Sequence, residues 1–132
     1  MIIPVSPITP RINFMGKYKM NGGNPDLKLL WDQGKLPGVK YGFYGDELTS
    51  KNVTREHLLP ASLGGTKKLG NIVLASKEKN NARGNKDISL FANMDNIKRY
   101  FAQFWDINIK ELDGHKYIKA CIKTLEKLGL KF

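Results

Sequence analysis

A carboxylate and an imidazole stand side by side at Glu56-His57, and amide side chains follow at Asn71 and at Asn80-Asn81. Imidazole exchanges a proton near neutral pH and can take one from a water molecule. Carboxylate and amide oxygens are hard donors, and a set made only of them, with several open positions, suits Mg²⁺ or Mn²⁺ better than Zn²⁺. Arg55, Lys67, Lys68, Arg83 and Lys86 lie close in sequence and could contact flanking phosphates. Adjacency sets a condition: neighbouring side chains of a strand start on opposite faces, so Glu56 and His57 share a site only where the strand bends. Pro60 and the loop after it could supply that bend. Each feature alone has a plainer reading, as a surface Glu-His pair, a turn asparagine after Gly70 and a helix-ending Asn80-Asn81.

Across residues 53–86 the order is Glu56-His57, Pro60, Ser62, Gly64-Gly65, Asn71 followed by Ile72, Val73 and Leu74, then Asn80. Asn71 comes 14 positions after His57, and Asn80 comes 9 after Asn71. In this order and spacing the segment, about a quarter of the chain, resembles the HNH nuclease family. The resemblance implies a ββα-metal core and hydrolysis of DNA phosphodiester bonds, leaving 5′-phosphate and 3′-hydroxyl ends. It implies His57 as general base on a water and Asn71 as the residue that holds the imidazole through its backbone or side-chain carbonyl. It implies Glu56 and Asn80 as ligands of one divalent ion, Mg²⁺ or else Mn²⁺, with Asn81 as the neighbour that could replace Asn80. One such site cuts one strand, so a double-strand break would need a homodimer, two nicks or a partner nuclease.

Many HNH proteins also carry two Cys-x-x-Cys pairs that hold a structural zinc. Here Tyr41, Gly42, Phe43, Tyr44 and Gly45 stand at the first place and Ser76 and Lys79 at the second. With every cysteine position filled otherwise, no structural zinc is expected. The rings of Tyr41 and Tyr44 are expected to pack where a metal would tie the hairpin.

The elements that must position these residues follow from local patterning. VTREHL (53–58) suits a strand, 60–70 a loop broken by Gly64 and Gly65, and NIVLA (71–75) a second strand. Ser76 is an N-cap type that opens a helix ending near Gly84. Upstream, Asp26 to Gln33 predicts a short helix capped by Asn24 or Asp26 and closed by Gly34, and KLPGVKYGFYGDELT a turn and a tight hairpin. Downstream, Leu90, Met94, Ile97, Phe101, Phe104 and Trp105 recur at three and four, predicting one helix over 89–105. A second helix over 113–128 sets Ile118, Cys121, Ile122, Leu125 and Leu128 opposite a stripe of Lys116, Lys119, Lys123 and Lys127. That stripe could track phosphates or simply be a solvated face. His115 matches no motif and is expected to be exposed. The expected fold class is α+β: a ββα core at about 53–86, an irregular N-terminal segment and two C-terminal helices.

The 132 residues suffice for one domain, expected over 26–132, after an extended basic arm over 1–25 punctuated by Pro4, Pro7 and Pro10. The formal net charge of +10 raises the local concentration of polyanions and makes nucleic acid, DNA on the resemblance, the expected partner. Cys121 is the single cysteine, which excludes an internal disulfide. No secretory h-region and no membrane span is legible, so the expected location is cytoplasmic. The rival readings are a catalytically silent nucleic-acid-binding module and an RNA-directed basic protein using aromatics such as Tyr18, Tyr41 and Phe43.

Overall fold

The computed structural model describes residues 25–132, and the arm expected over 1–25 lies, except for Pro25, outside the described residues. The chain forms α1 (Leu27–Asp32), β1 (Val53–His57), β2 (Ile72–Ser76), α2 (Lys77–Arg83), α3 (Ile88–Phe91), α4 (Met94–Ala102), β3 (Asn108–Ile109), β4 (Leu112–Asp113) and α5 (Gly114–Lys127). β1 and β2 pair antiparallel, with Val53 opposite Ser76, Glu56 opposite Val73 and His57 opposite Ile72. The order strand, loop, strand, helix is therefore present over 53–83. Among the described residues no helix is long and apolar enough to cross a membrane.

The helix starts are set by side chains that satisfy orphan N–H groups. Asp26 accepts from the Leu29 N–H at 3.3 Å and Ser76 from the Lys79 N–H at 3.2 Å. Asp113 accepts from the Lys116 N–H at 3.2 Å and begins α5. The single helix expected over 89–105 is corrected to α3 and α4. Ala92 is extended, and the Asn93 side chain accepts from the Asn96 N–H at 3.1 Å, so a fresh cap starts a second helix inside an unbroken apolar period. Two residues expected in the core are exposed: Leu90, in the short α3 before the break, at 84%, and Trp105, past the end of α4 at Ala102, at 59%. Trp105 instead stacks on His115, ring centres 4.1 Å apart.

β2 is buried along its whole length, which is why IVLA is an apolar run without alternation. A two-stranded sheet inside a core has outward backbone groups that need partners. The outer edge of β2 finds them in the 41–47 hairpin and two tyrosines. The Phe43 N–H donates to the Leu74 carbonyl at 2.8 Å, the Leu74 N–H to the Tyr100 hydroxyl at 3.0 Å, and the Tyr117 hydroxyl to the Ile72 carbonyl at 2.7 Å. The two hydroxyls are themselves 2.8 Å apart. Burial pushes both phenols above their ordinary range, keeping them protonated donors.

Tyr44 packs edge-on against Phe43 and Phe91, at ring-centre distances of 5.4 and 4.9 Å. Tyr41 departs from the packing expected of it: it is 38% exposed, with the Arg99 guanidinium 4.3 Å from its ring centre. The hairpin is pinned to the β2–α2 junction by Ser76, whose hydroxyl donates to Asp46 at 2.8 Å.

Two predictions arise from this frame. The Arg55 guanidinium, 2.6 Å from Asp26, holds that carboxyl below its ordinary value of 3.8. A depressed folded-state pKa stabilises above the unfolded value, and the contribution is lost as pH falls through the folded one. The difference in thermal midpoint between wild type and Asp26→Asn therefore shrinks as the pH drops below 3.8; a constant difference into strong acid would contradict the ion pair. Cys121 is fully buried, and burial pushes its thiol up to about 12. Iodoacetamide labelling of the native protein, followed by mass spectrometry, should proceed only at the rate of unfolding and become fast in denaturant.

Candidate functional site

The candidate site is built on the outer edge of β1. The Leu58 N–H donates to the Asn71 carbonyl, so the residues at 54, 56 and 58 turn their backbone groups towards β2, and Arg55 and His57 turn theirs outward. α2 supplies the partners for those outward carbonyls. The Asn80 amide nitrogen donates to the Arg55 carbonyl at 3.0 Å and to the Thr54 hydroxyl at 3.1 Å. A carbonyl can only accept, so the bond to Arg55 fixes which end of the Asn80 amide is nitrogen. Among the described residues Asn80 Oδ1 has no hydrogen-bond partner, and the nitrogen of the same amide bonds the carbonyl of the peptide that leads into Glu56.

Arg83, one turn further along α2, does the same for the strand end. Its guanidinium donates to the carbonyls of His57 at 2.6 Å, Leu58 at 2.8 Å and Lys86 at 2.7 Å, and is 3.4 Å from Glu56 Oε2. Its side chain is 1% exposed. The expectation that Arg83 binds flanking phosphates is therefore corrected: an enclosed guanidinium with these partners clamps the backbone where β1 ends and the chain bends. Glu56 is also buried, and its Oε2 accepts the Tyr44 hydroxyl at 2.6 Å. Burial first, and then the neighbouring Glu56, raises the Tyr44 phenol well above its ordinary value, so it stays a donor. His57, the last residue of β1, is half-buried, and among the described residues its imidazole has no hydrogen-bond partner.

Asn71 is buried at the base of the loop, 6% exposed. Its side-chain oxygen accepts from the Leu59 N–H at 2.8 Å, and its amide nitrogen donates to the carbonyls of Thr66 at 2.8 Å and Leu59 at 3.1 Å. The expected hydrogen bond from Asn71 to the imidazole is replaced by these backbone bonds. Asn71 staples the loop that follows His57, and its own carbonyl is taken by the Leu58 N–H. Gly65 allows the fold-back, because a Cβ there would meet the Leu59 carbonyl oxygen at 1.7 Å.

The remaining expected residues are peripheral. Asn81 is exposed on α2. Arg55 is occupied by its two bonds to Asp26. Lys86 is exposed, with its ammonium on the Ala82 carbonyl at 2.7 Å. Lys67 and Lys68 are exposed on the loop. Sequence reasoning missed the structural roles of Tyr44 and Arg83. A signal for Arg83 was present: positions 80 and 83 are one helical turn apart and share a face, so if Asn80 meets β1, Arg83 does too.

Among the described residues no three His, Cys, Asp or Glu side chains converge as a metal cage. Among the described residues Asn80 Oδ1 and Glu56 Oε1 have no hydrogen-bond or ion-pair partner, the nitrogen of the one and Oε2 of the other being committed, and both are hard oxygen donors of the kind a divalent ion takes. No protein-family model, no curated protein and no solved structure matches the chain.

Proposed function

We propose that the chain is a metal-dependent endonuclease of the HNH kind that hydrolyses DNA phosphodiester bonds one strand at a time. The observation that carries this reading is the locked Asn80 amide: its nitrogen is spent on the Thr54 hydroxyl and Arg55 carbonyl of β1, the strand that also bears Glu56 and His57, and among the described residues its oxygen has no hydrogen-bond partner. Asn80 and Glu56 would hold an ion of the Mg²⁺ or Mn²⁺ class, which when bound supplies charge stabilisation to the phosphoryl oxygens and the leaving 3′ oxygen. The His57 imidazole would accept the proton of the attacking water on a ring nitrogen. Arg83 and Asn71 act through the backbone, the first by fixing the carbonyls of His57 and Leu58, the second by holding the loop that continues from them.

The test is relaxation of supercoiled plasmid. Wild type with Mg²⁺ or Mn²⁺ should give nicked circles, and EDTA or His57→Ala should abolish them. Double-strand breaks would appear later, through a second nick, a second copy or a partner nuclease. Plasmid that is bound but left intact by wild type across several divalent metals would sink the enzyme reading. One observation favours that second reading, a nucleic-acid-binding module without catalysis: Glu56 is only 5% exposed and already compensated by Arg83 and Tyr44.

A further inference from the structure

We infer that a groove between the 59–71 loop and α5 is a binding site for the phosphodiester backbone of a DNA strand leading away from His57, an assignment that rests on the nuclease reading for its DNA. The groove encloses about 560 Å³ and is lined by Lys68 from the loop and by Lys123 and Lys127 from α5, with no carboxylate in its walls. All three lysines are exposed, and among the described residues none is in an ion pair. Lys28, Lys35, Arg55 and Arg83, by contrast, each have a carboxylate partner. Three ammonium groups converging on one concave surface repel one another, and a polyanion relieves that repulsion while releasing its own counterions.

The walls are stiff. Asn71 ties the loop to itself through Leu59 and Thr66, and Gly70 brings the loop so close to α5 that a Cβ there would be 2.9 Å from the Ala120 carbonyl oxygen. The lysines are thus presented from fixed backbones. Location ties the groove to the site: Leu59 and Asn71 are among its lining residues, and Leu59 comes two residues after His57. α5 carries the stripe of Lys116, Lys119, Lys123 and Lys127, but only Lys123 and Lys127, about 6 Å apart along the helix, line the groove. That partition separates a site from a merely charged helix face.

The test uses the full chain in EDTA, so that binding is read without cleavage, with a short random-sequence DNA duplex as probe. A triple variant Lys68→Gln, Lys123→Gln, Lys127→Gln is compared with a charge-matched control, Lys51→Gln, Lys98→Gln, Lys116→Gln, also exposed positions but outside the groove. The slope of log Kd against log salt should weaken by about 0.9 for each phosphate that is no longer neutralised, nearly three in the groove variant, and by less than one in the control. Equal weakening in the two variants would overturn the groove and leave only the general positive field. Tighter binding of the matching RNA duplex than of DNA would overturn the DNA assignment. A groove variant with the wild-type slope, beside a wild type that nicks plasmid, would remove the groove and leave the nuclease reading standing. The reverse pair of results would keep the groove and remove the nuclease.

Discussion

Replacing Arg83 with methionine lowers the stability of the fold by about 3–5 kcal/mol, the cost of leaving one member of a buried ion pair without the other. The side chains of Arg83 and Glu56 are 1% and 7% exposed, so water cannot take over the missing interaction. The carbonyls of His57, Leu58 and Lys86 lose charge-assisted donors at the same time. In a thermal melt this is a fall of about 12 °C or more for a domain of this size. Arg83→Lys retains the charge but cannot reach three carbonyls from one ammonium, so it recovers only part of the stability. Adding Glu56→Gln to Arg83→Met removes the stranded carboxylate and should restore stability relative to Arg83→Met alone, which a double-mutant cycle measures directly. An Arg83→Met protein melting within about 3 °C of wild type would mean that the guanidinium is not enclosed in solution.

His57→Ala should separate activity from folding. Removing a general base typically costs about 10²–10⁴ in rate, so plasmid nicking at saturating Mg²⁺ should fall by that factor. The imidazole is half-buried and, among the described residues, without a hydrogen-bond partner, so its removal should cost the fold no more than about 1 kcal/mol. A variant that melts like wild type, binds duplex DNA like wild type and fails to nick is the expected result. Undiminished nicking would remove His57 from the chemistry. Loss of nicking accompanied by a large fall in melting temperature would instead make His57 a packing residue.

The parts of the fold legible in the sequence are those controlled by neighbours in the chain. Asp26, Ser76 and Asp113 are caps for helices that begin within a residue of them, and Gly84 closes α2 as its position suggests. The β1–loop–β2–α2 order follows from Pro60, Gly64 and Gly65 lying between two β-prone runs. The break at Asn93 is hidden because apolar residues keep helical spacing across it, and a period reports which face is buried without saying whether the backbone is continuous. Arg83 and Asn71 escape sequence reasoning for a related cause. A basic residue near the end of a helix is most often solvated, and only the fold shows that the carbonyls of His57 and Leu58, 26 and 25 residues away, enclose this one. At Asn71 the residue type and position are legible, whereas its partners depend on how the loop folds back.

On both long edges of the β1–β2 pair, groups other than strands take up backbone positions: Asn80 and Arg83 on the carbonyls of Arg55 and His57, and Phe43, Tyr100 and Tyr117 along Ile72 to Leu74. An open edge is a template on which another chain can add a strand, in dimerisation, domain exchange or amyloid growth. The carbonyls that an added strand would use at Arg55, His57, Ile72 and Leu74 are already occupied. Two copies brought together to cut opposite DNA strands would therefore meet more readily through helices and loops than by extending the strand that carries His57.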